Sequence, residues 1–287
     1  MSTITKTQTY KFSVEKVWNA ITRPEEMKKW YFHVRGFELQ EGKVFTFYEN
    51  ESGGSYLHSC EILKVIPEKL FEHTWEHPSH SKGKSILKWE LVSLSPESTQ
   101  LTLTHSGLEN FADAGPEFAP ENYEGGWDAF VKTSLKNYLN GIEKLVFEID
   151  IKAEPEKVWA MLWDNDTYGQ WTSVFTEGSV LKGELKEGGR VHFLDSKGGG
   201  MYSDIVYLKE NKWLIFSHIG DVKEGEEMPL DEVTEKWTGS FESYKLMSTD
   251  AGTKLIVEVD VPADYMTSMN EKYQQALKKL KDMCENN

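Results

Sequence analysis

The sequence has few cysteines and no long apolar run. Cys60 and Cys284 are the only cysteines among 287 residues, and neither belongs to a Cys-x-x-Cys pair. Neither a disulfide framework nor a redox-active thiol pair is therefore indicated. The first residues, 1–6, lack the apolar core of a signal peptide, and no later run is long enough to span a bilayer. We expect a cytoplasmic protein without a membrane span.

Basic residues are outnumbered by acidic ones. Lys and Arg total 32 against 47 Asp and Glu, which gives a formal net charge of -15. Such a surface repels nucleic acid and anionic membranes, so neither is expected as the main partner. With 39% hydrophobic and 13% aromatic residues, the chain can form two domains, each with its own core.

Motifs of nucleophilic catalysis and phosphate binding are missing, and we predict no catalytic residue and no cofactor. Gly198–Gly200 precedes a predicted strand rather than a helix, which favours a hairpin loop over a phosphate site. His73, His77 and His80 have no known metal-ligand spacing. His73 and His77 would also lie too far apart on a strand to share one ion easily, so no metal site is predicted.

What the sequence does contain is a repeat. Glu15–Trp18 returns as Glu156–Trp159, and Trp30 and Trp171 each follow twelve residues after the tryptophan of their copy. Further similar pairs, in the same order, are Leu39–Phe47 with Leu185–Phe193, Gly53–Tyr56 with Gly199–Tyr202, and Thr99–Leu103 with Thr253–Val257. The period is too long for a solenoid, so it indicates two copies of one domain.

Each copy has the same predicted order: a strand, two short helices, a run of antiparallel strands and one long amphipathic helix. The long helices are predicted over 126–139 and 265–284, and the domains over 1–141 and 142–287. In the second copy we expect one strand over 235–247. The acidic segment 221–231 is predicted to be a solvated, mobile loop.

The first copy resembles the SRPBCC or START-like superfamily, which has the helix-grip fold. More narrowly, it is similar to the domain named after the activator of heat-shock-protein-90 ATPase. The matching residues are Val14–Trp18, Trp30, Gly42, Pro67–Leu70, Thr74–Trp75 and Gly126–Trp127. The second copy has Ser217-His218 in place of Thr74-Trp75 and lacks the Gly-Trp pair. It therefore resembles the superfamily more clearly than this subfamily.

The resemblance implies an α+β fold of tandem helix-grip domains, each a curved antiparallel sheet wrapped around a long C-terminal helix. It also implies a cavity between sheet and helix that holds apolar small molecules such as lipids or polyketides. Strand alternation suggests which side chains face it, since Phe71, His73, Trp75 and His77 share one strand face. The predicted ligand-binding residues are His73, Trp75, Trp89, Leu101, His105, Trp127 and Val131 in the first copy, and Phe193, Phe216, His218, Trp237 and Met269 in the second.

The same alternation of aromatic residues is also typical of a packed core without a cavity. Three functions stay open at this point. The favoured one is non-enzymatic binding of an apolar small molecule, in a monomer with pseudo-dimeric tandem domains or a weak homodimer. The second is a cochaperone-like module that binds a protein partner through its surface. The third is a cyclase-type enzyme that uses His73 or His105 as a general acid or base.

Overall fold

The computed structural model describes residues 3–49 and 56–286. The glycines of the repeat segment Gly53–Tyr56 lie outside the described residues. The chain divides into two compact units, Met1–Leu139 and Asn140–Asn287, close to the predicted boundary.

Unit 1 has the predicted order of elements. They are β1 (Thr3–Tyr10), α1 (Val14–Thr22), α2 (Pro24–Met27), β2 (Val44–Tyr48), β3 (Leu57–Ile66), β4 (Leu70–Glu76), β5 (Lys84–Ser95), β6 (Ser98–Ser106), α3 (Pro120–Asp128) and α4 (Leu135–Leu139). The strands form an antiparallel sheet in the order β1-β6-β5-β4-β3-β2. Ser13 caps α1, since its side chain accepts a hydrogen bond from the Lys16 backbone N–H.

The C-terminal helix of unit 1 differs from the prediction in its start and its winding. It begins at Pro120, ahead of the predicted residue 126, because proline suits the first turn of a helix. Between α3 and α4 the segment Ala129–Ser134 is π-helical. Trp127, Val131 and Leu135 nevertheless face the core, each at most 3% exposed, so the predicted apolar face is confirmed.

Unit 2 repeats this architecture with a longer final helix. Its elements are β7 (Ile142–Ile151), α5 (Pro155–Trp163), α6 (Asn165–Trp171), β8 (Val180–Gly183), β9 (Arg190–Leu194), β10 (Gly200–Lys209), β11 (Trp213–Lys223), β12 (Glu226–Glu227), α7 (Thr234–Trp237), β13 (Phe241–Thr249), β14 (Gly252–Pro262) and α8 (Met266–Asn286). The sheet order is β7-β14-β13-β11-β10-β9-β8, and β12 pairs with β11. Helix α8 packs on β7 and β14. The predicted α+β helix-grip fold is confirmed.

Two predictions for unit 2 are wrong at the segment that follows β11. The acidic segment is largely exposed as expected but is not a loop throughout, because β11 continues to Lys223 and forms a hairpin with β12. Glu227 holds that hairpin in place, because it accepts hydrogen bonds from Arg190 and pairs with His192.

The predicted strand over 235–247 begins only at Phe241, since the short helix α7 precedes it. Asp231 starts this helix by accepting hydrogen bonds from the backbone N–H groups of Val233 and Thr234. Trp237 therefore lies on α7, partly exposed, rather than on a sheet face. Tyr265 is likewise outside the apolar stripe of the final helix, at 61% exposed.

Each unit has its own apolar core between its sheet and its helices. None of the helices in the described part of the chain is long and apolar enough to cross a membrane.

Candidate functional site

The structure places the seven predicted ligand-binding residues of unit 1 in its core. They are His73, Trp75, Trp89, Leu101, His105, Trp127 and Val131, all at most 3% exposed. Trp127 brings the C-terminal helix onto the sheet, with its ring 5.3 Å from that of Trp75 and 6.0 Å from that of Trp89. The three tryptophan rings therefore pack against one another. A ligand pocket among the seven residues stays a prediction.

The two histidines considered as acid or base are tied to protein groups. The Trp127 indole N–H donates to His105 Nδ1 over 3.0 Å, so Nε2 carries the ring proton and donates to Ser85 Oγ at 2.7 Å. His73 uses Nδ1 to contact the Thr74 carbonyl at 2.8 Å. Burial lowers the pKa of His105 to about 3 and that of His73 to about 4. Both imidazoles are thus neutral near pH ~7.

Two small cavities of unit 1 have linings that include none of these seven residues. One, of about 170 Å³, is lined by Tyr56, His58, His77, Glu117, Phe118, Asn122 and Tyr123. The other, of about 160 Å³, is lined by Lys28, Tyr31, Phe32, His33, Arg35, Tyr48 and Glu49. In the first, the Tyr123 hydroxyl lies 2.7 Å from His77 Nε2, which also accepts the Trp75 indole N–H.

Unit 2 has a larger cavity, of about 370 Å³, between its helices and the sheet. Seven aromatic side chains contribute to its lining: Trp163, Tyr168, Trp171, Phe175, Phe193, Tyr244 and Tyr273. The other lining residues are Thr172, Thr176, Ser179, Leu194, Asp195, Gly199, Gly200, Met201, Glu242, Met269 and Lys272. A volume of this size, lined by aromatic rings with a few polar groups, is typical of small-molecule sites.

Two of the five residues predicted for unit 2 line this cavity, and two more lie behind its wall. Phe193 and Met269 line it. Phe216 lies directly behind Phe193, with ring centroids 5.1 Å apart, and His218 lies 6.1 Å from the same ring. Trp237 does not line the cavity. It lies on helix α7, which Asp231 starts, and not on a strand of the sheet.

The main polar feature of the cavity is the Glu242 carboxylate, which the sequence analysis missed. Its side chain is only 13% exposed. Oε1 accepts hydrogen bonds from the Tyr273 hydroxyl at 2.7 Å and from the Tyr244 hydroxyl. Oε2 has a longer contact, 3.4 Å, with His218 Nε2. The carboxylate therefore joins β13 to α8 and β11 at the cavity wall.

His218 is oriented from its other side by Ser203. Ser203 Oγ lies 2.8 Å from His218 Nδ1. Because a carboxylate only accepts, His218 directs its Nε2–H at Glu242, and the contact of Nδ1 with Ser203 fixes the orientation of the ring. Ser203 is fully buried and is not part of the cavity lining. This chain of hydrogen bonds positions Glu242 rather than presenting a serine nucleophile to a ligand.

The environment keeps Glu242 ionised. Burial by itself raises the pKa of this carboxyl group, but the hydrogen bond and Coulombic attraction of His218, together with the hydrogen bonds from Tyr244 and Tyr273, outweigh burial and leave its pKa below the usual value. Burial raises the pKa of both tyrosines well above the usual value, so they remain hydroxyl donors. The cavity wall thus carries a negative charge that the two tyrosine hydroxyls and His218 stabilise.

The alternation along β13 could have identified Glu242. It has the same parity as the buried residues Tyr244 and Leu246, and a charge on an inward strand face is unusual. When Lys212 is aligned with Lys69, Phe216 of β11 corresponds to His73 of β4. Glu242 pairs with Phe216 and Leu87 pairs with His73, so unit 1 has a leucine where unit 2 has the carboxylate. The two units therefore have different chemistry at this position.

No metal centre is found in the described ranges 3–49 and 56–286: they contain no group of three or more His, Cys, Asp or Glu side chains that could hold an ion. The structure thus defines a protein of two helix-grip units, the second with an aromatic cavity and a buried carboxylate.

The family model described as "Activator of Hsp90 ATPase homolog 1-like protein" matches residues 11–140 and again residues 152–285. The chain belongs to this family. Because the second match covers most of unit 2, the expected distinction between the two copies at the level of the subfamily is wrong.

Several solved structures are similar to this chain. DynU16, a protein from the dynemicin biosynthetic locus, has 16% identity over 99% of this chain and 100% of its own, with a TM-score of 0.41. The di-domain ARO/CYC protein StfQ of the steffimycin pathway has 11% identity over 98% of each chain, with a TM-score of 0.40. The Aha1 dimer from Colwellia psychrerythraea has 26% identity over 50% of this chain and 96% of its own, with a TM-score of 0.40. No curated protein matches the sequence.

Proposed function

We propose that this protein is a non-enzymatic binder of an apolar small molecule, lipid- or polyketide-like, and that unit 2 holds it between sheet and helix. The observation that carries the proposal is the aromatic cavity of about 370 Å³. Burial of apolar ligand surface against these rings contributes about 25 cal/mol for each Å² removed from water. A non-enzymatic role is supported by Ser203, which is buried behind His218 rather than at the cavity.

The proposal is tested by titration with the neutral fluorescent probe prodan. Thr176 is exposed and lines the cavity, so Thr176→Trp places an indole in the cavity entrance with little change to the core. Thr267 is also exposed but does not line the cavity, and Thr267→Trp is the matched control. We expect Thr176→Trp to weaken binding about tenfold, or ~1.4 kcal/mol, and the control to bind like the unmodified chain. Equal binding by both variants would count against the cavity as the site.

The family match supports a second candidate, a cochaperone-like module that acts through its surface. This function predicts that the full chain stimulates the ATPase of an Hsp90 protein. Reversing charge at Glu224 and Glu226, both exposed on the β11–β12 hairpin, would then lower the stimulation while prodan binding is kept. No stimulation at any concentration of the chain would remove this candidate.

A further inference from the structure

The chemistry of the unit 2 cavity indicates more about its ligand than apolar character. Seven aromatic rings surround the cavity, and an ionised carboxylate lies in its wall. Aromatic faces attract cations, and more strongly where water is excluded. A buried carboxylate is costly unless hydrogen bonds or an opposite charge compensate it, and for Glu242 the hydrogen bond and Coulombic attraction of His218 do so only at a distance of 3.4 Å.

The donors of Glu242 leave one of its oxygens poorly satisfied. Both tyrosine hydroxyls donate to Oε1, whereas among residues 3–49 and 56–286 the polar contact found for Oε2 is the longer one, 3.4 Å, with His218 Nε2. An ionised carboxylate has about four lone-pair sites. A further strong donor at Oε2 would complete this set.

The charges around the cavity also favour a cation. Glu242 and Asp195 contribute two carboxylates to the lining, against one ammonium group, that of Lys272. The Lys272 ammonium lies 3.5 Å from the Phe175 carbonyl oxygen. The chain as a whole has a formal net charge of -15, which raises the local concentration of cations.

We propose that the ligand of unit 2 is an amine with an apolar, ring-sized body, and that its ammonium group binds the Glu242 carboxylate while its body lies among the aromatic rings. This inference rests on the proposed function, because it assigns a ligand class to the same cavity. The binding is specific to unit 2, since unit 1 has Leu87 at the equivalent strand pairing.

Calorimetric titration of the full chain with naphthylmethylamine and naphthylmethanol, as the same ring isomer, tests the inference. The two compounds have the same body and differ in the ammonium or hydroxyl group. We expect the amine to bind at least about tenfold more tightly than the alcohol, because only the amine forms a charge-assisted hydrogen bond. Glu242→Gln should abolish this preference and leave the affinity for the alcohol within about twofold.

Two further variants distinguish the effect of the Glu242 charge on amine binding from an effect of substitution on folding. Glu258→Gln removes one carboxylate from β14 outside the cavity lining, and we expect it to keep the preference for the amine. Tyr273→Phe removes one donor to Glu242 but leaves the carboxylate, so it should also keep the preference for the amine. This measurement can be made whether or not Glu242→Gln folds.

The outcomes distinguish the inference from the proposed function. Equal affinity for amine and alcohol in the unmodified chain would overturn the inference and leave the binding function in place. A preference for the amine that persists in folded Glu242→Gln would also overturn it. If neither compound nor prodan binds, the proposed function itself is wrong.

Discussion

At the scale of single residues, the buried histidines of unit 1 couple its stability to pH. Burial, as the largest cause, lowers the pKa of His58 and His105 to about 3 and that of His73 and His77 to about 4. A histidine in the unfolded chain has a pKa of ~6.5. Between these values the unfolded chain binds more protons than the folded chain. The stabilising contribution is therefore complete above pH ~6.5 and is lost as the pH falls towards 4.

We predict that His58→Phe weakens this pH dependence. His58 stacks on Phe47 with ring centroids 4.5 Å apart, and its Nδ1 has no hydrogen-bond partner among the described residues. Phenylalanine keeps the stacking and cannot be protonated. The free energy of unfolding, measured by urea denaturation from pH 7 to pH 4.5, should fall less steeply in the variant, by up to about 1.4 kcal/mol for each pH unit. His33→Phe, at an exposed position, is the control, and an unchanged slope in His58→Phe would contradict the prediction.

At the scale of elements, the Tyr273 hydroxyl connects the final helix to the sheet. It donates to Glu242 on β13 over 2.7 Å and is buried. Loss of a buried hydrogen bond to a charged group costs about 1.5–3 kcal/mol. Tyr273→Phe should therefore lower the free energy of unfolding of unit 2 by that amount in chemical denaturation. Tyr265→Phe, at a residue 61% exposed, should have no comparable effect, and equal losses in the two variants would refute this role.

The β9–β10 hairpin at the cavity depends on Gly200. Its φ is +154°, and a Cβ atom there would lie 1.9 Å from the Phe193 carbonyl oxygen, so the backbone itself must move. We predict that Gly200→Ala destabilises unit 2 by at least about 2 kcal/mol in thermal denaturation. Gly125→Ala is the contrasting variant, because a Cβ on that helical glycine meets no atom within 4 Å. It should be neutral or slightly stabilising.

At the scale of the whole molecule, two copies of one fold differ in their cavities. Glu242 in unit 2 corresponds to Leu87 in unit 1 by strand pairing. We therefore expect native mass spectrometry of the full chain with naphthylmethylamine to show one bound molecule per chain. The Glu242→Gln variant, at the same amine concentration, should show a smaller bound fraction, because its affinity for the amine falls to that for the alcohol. Two bound molecules per chain would mean that unit 1 takes the amine as well.

Local patterns in the sequence were sufficient for the fold. The repeat of Glu15–Trp18 at Glu156–Trp159, together with strand alternation, predicted two copies and most of their elements in order, and the family resemblance implied the helix-grip fold; β8, β12 and α7 were not predicted. The alternation also predicted the buried face of β4, because the period of two in a strand is a local property. Predictions failed where a single side chain changes the backbone, as at the Asp231 cap that begins α7.

The sequence by itself therefore determined the duplication, the fold class and which strand faces are buried, since periodicity and turn residues act over short distances. Only the tertiary structure decided which buried strand faces line a cavity and which pack directly against other side chains. The aromatic residues of unit 1 meet one another through Trp127, whereas those of unit 2 surround a cavity. It also decided the chemistry of that cavity, because Glu242 and Tyr273 are 31 residues apart and meet only when α8 packs on the sheet.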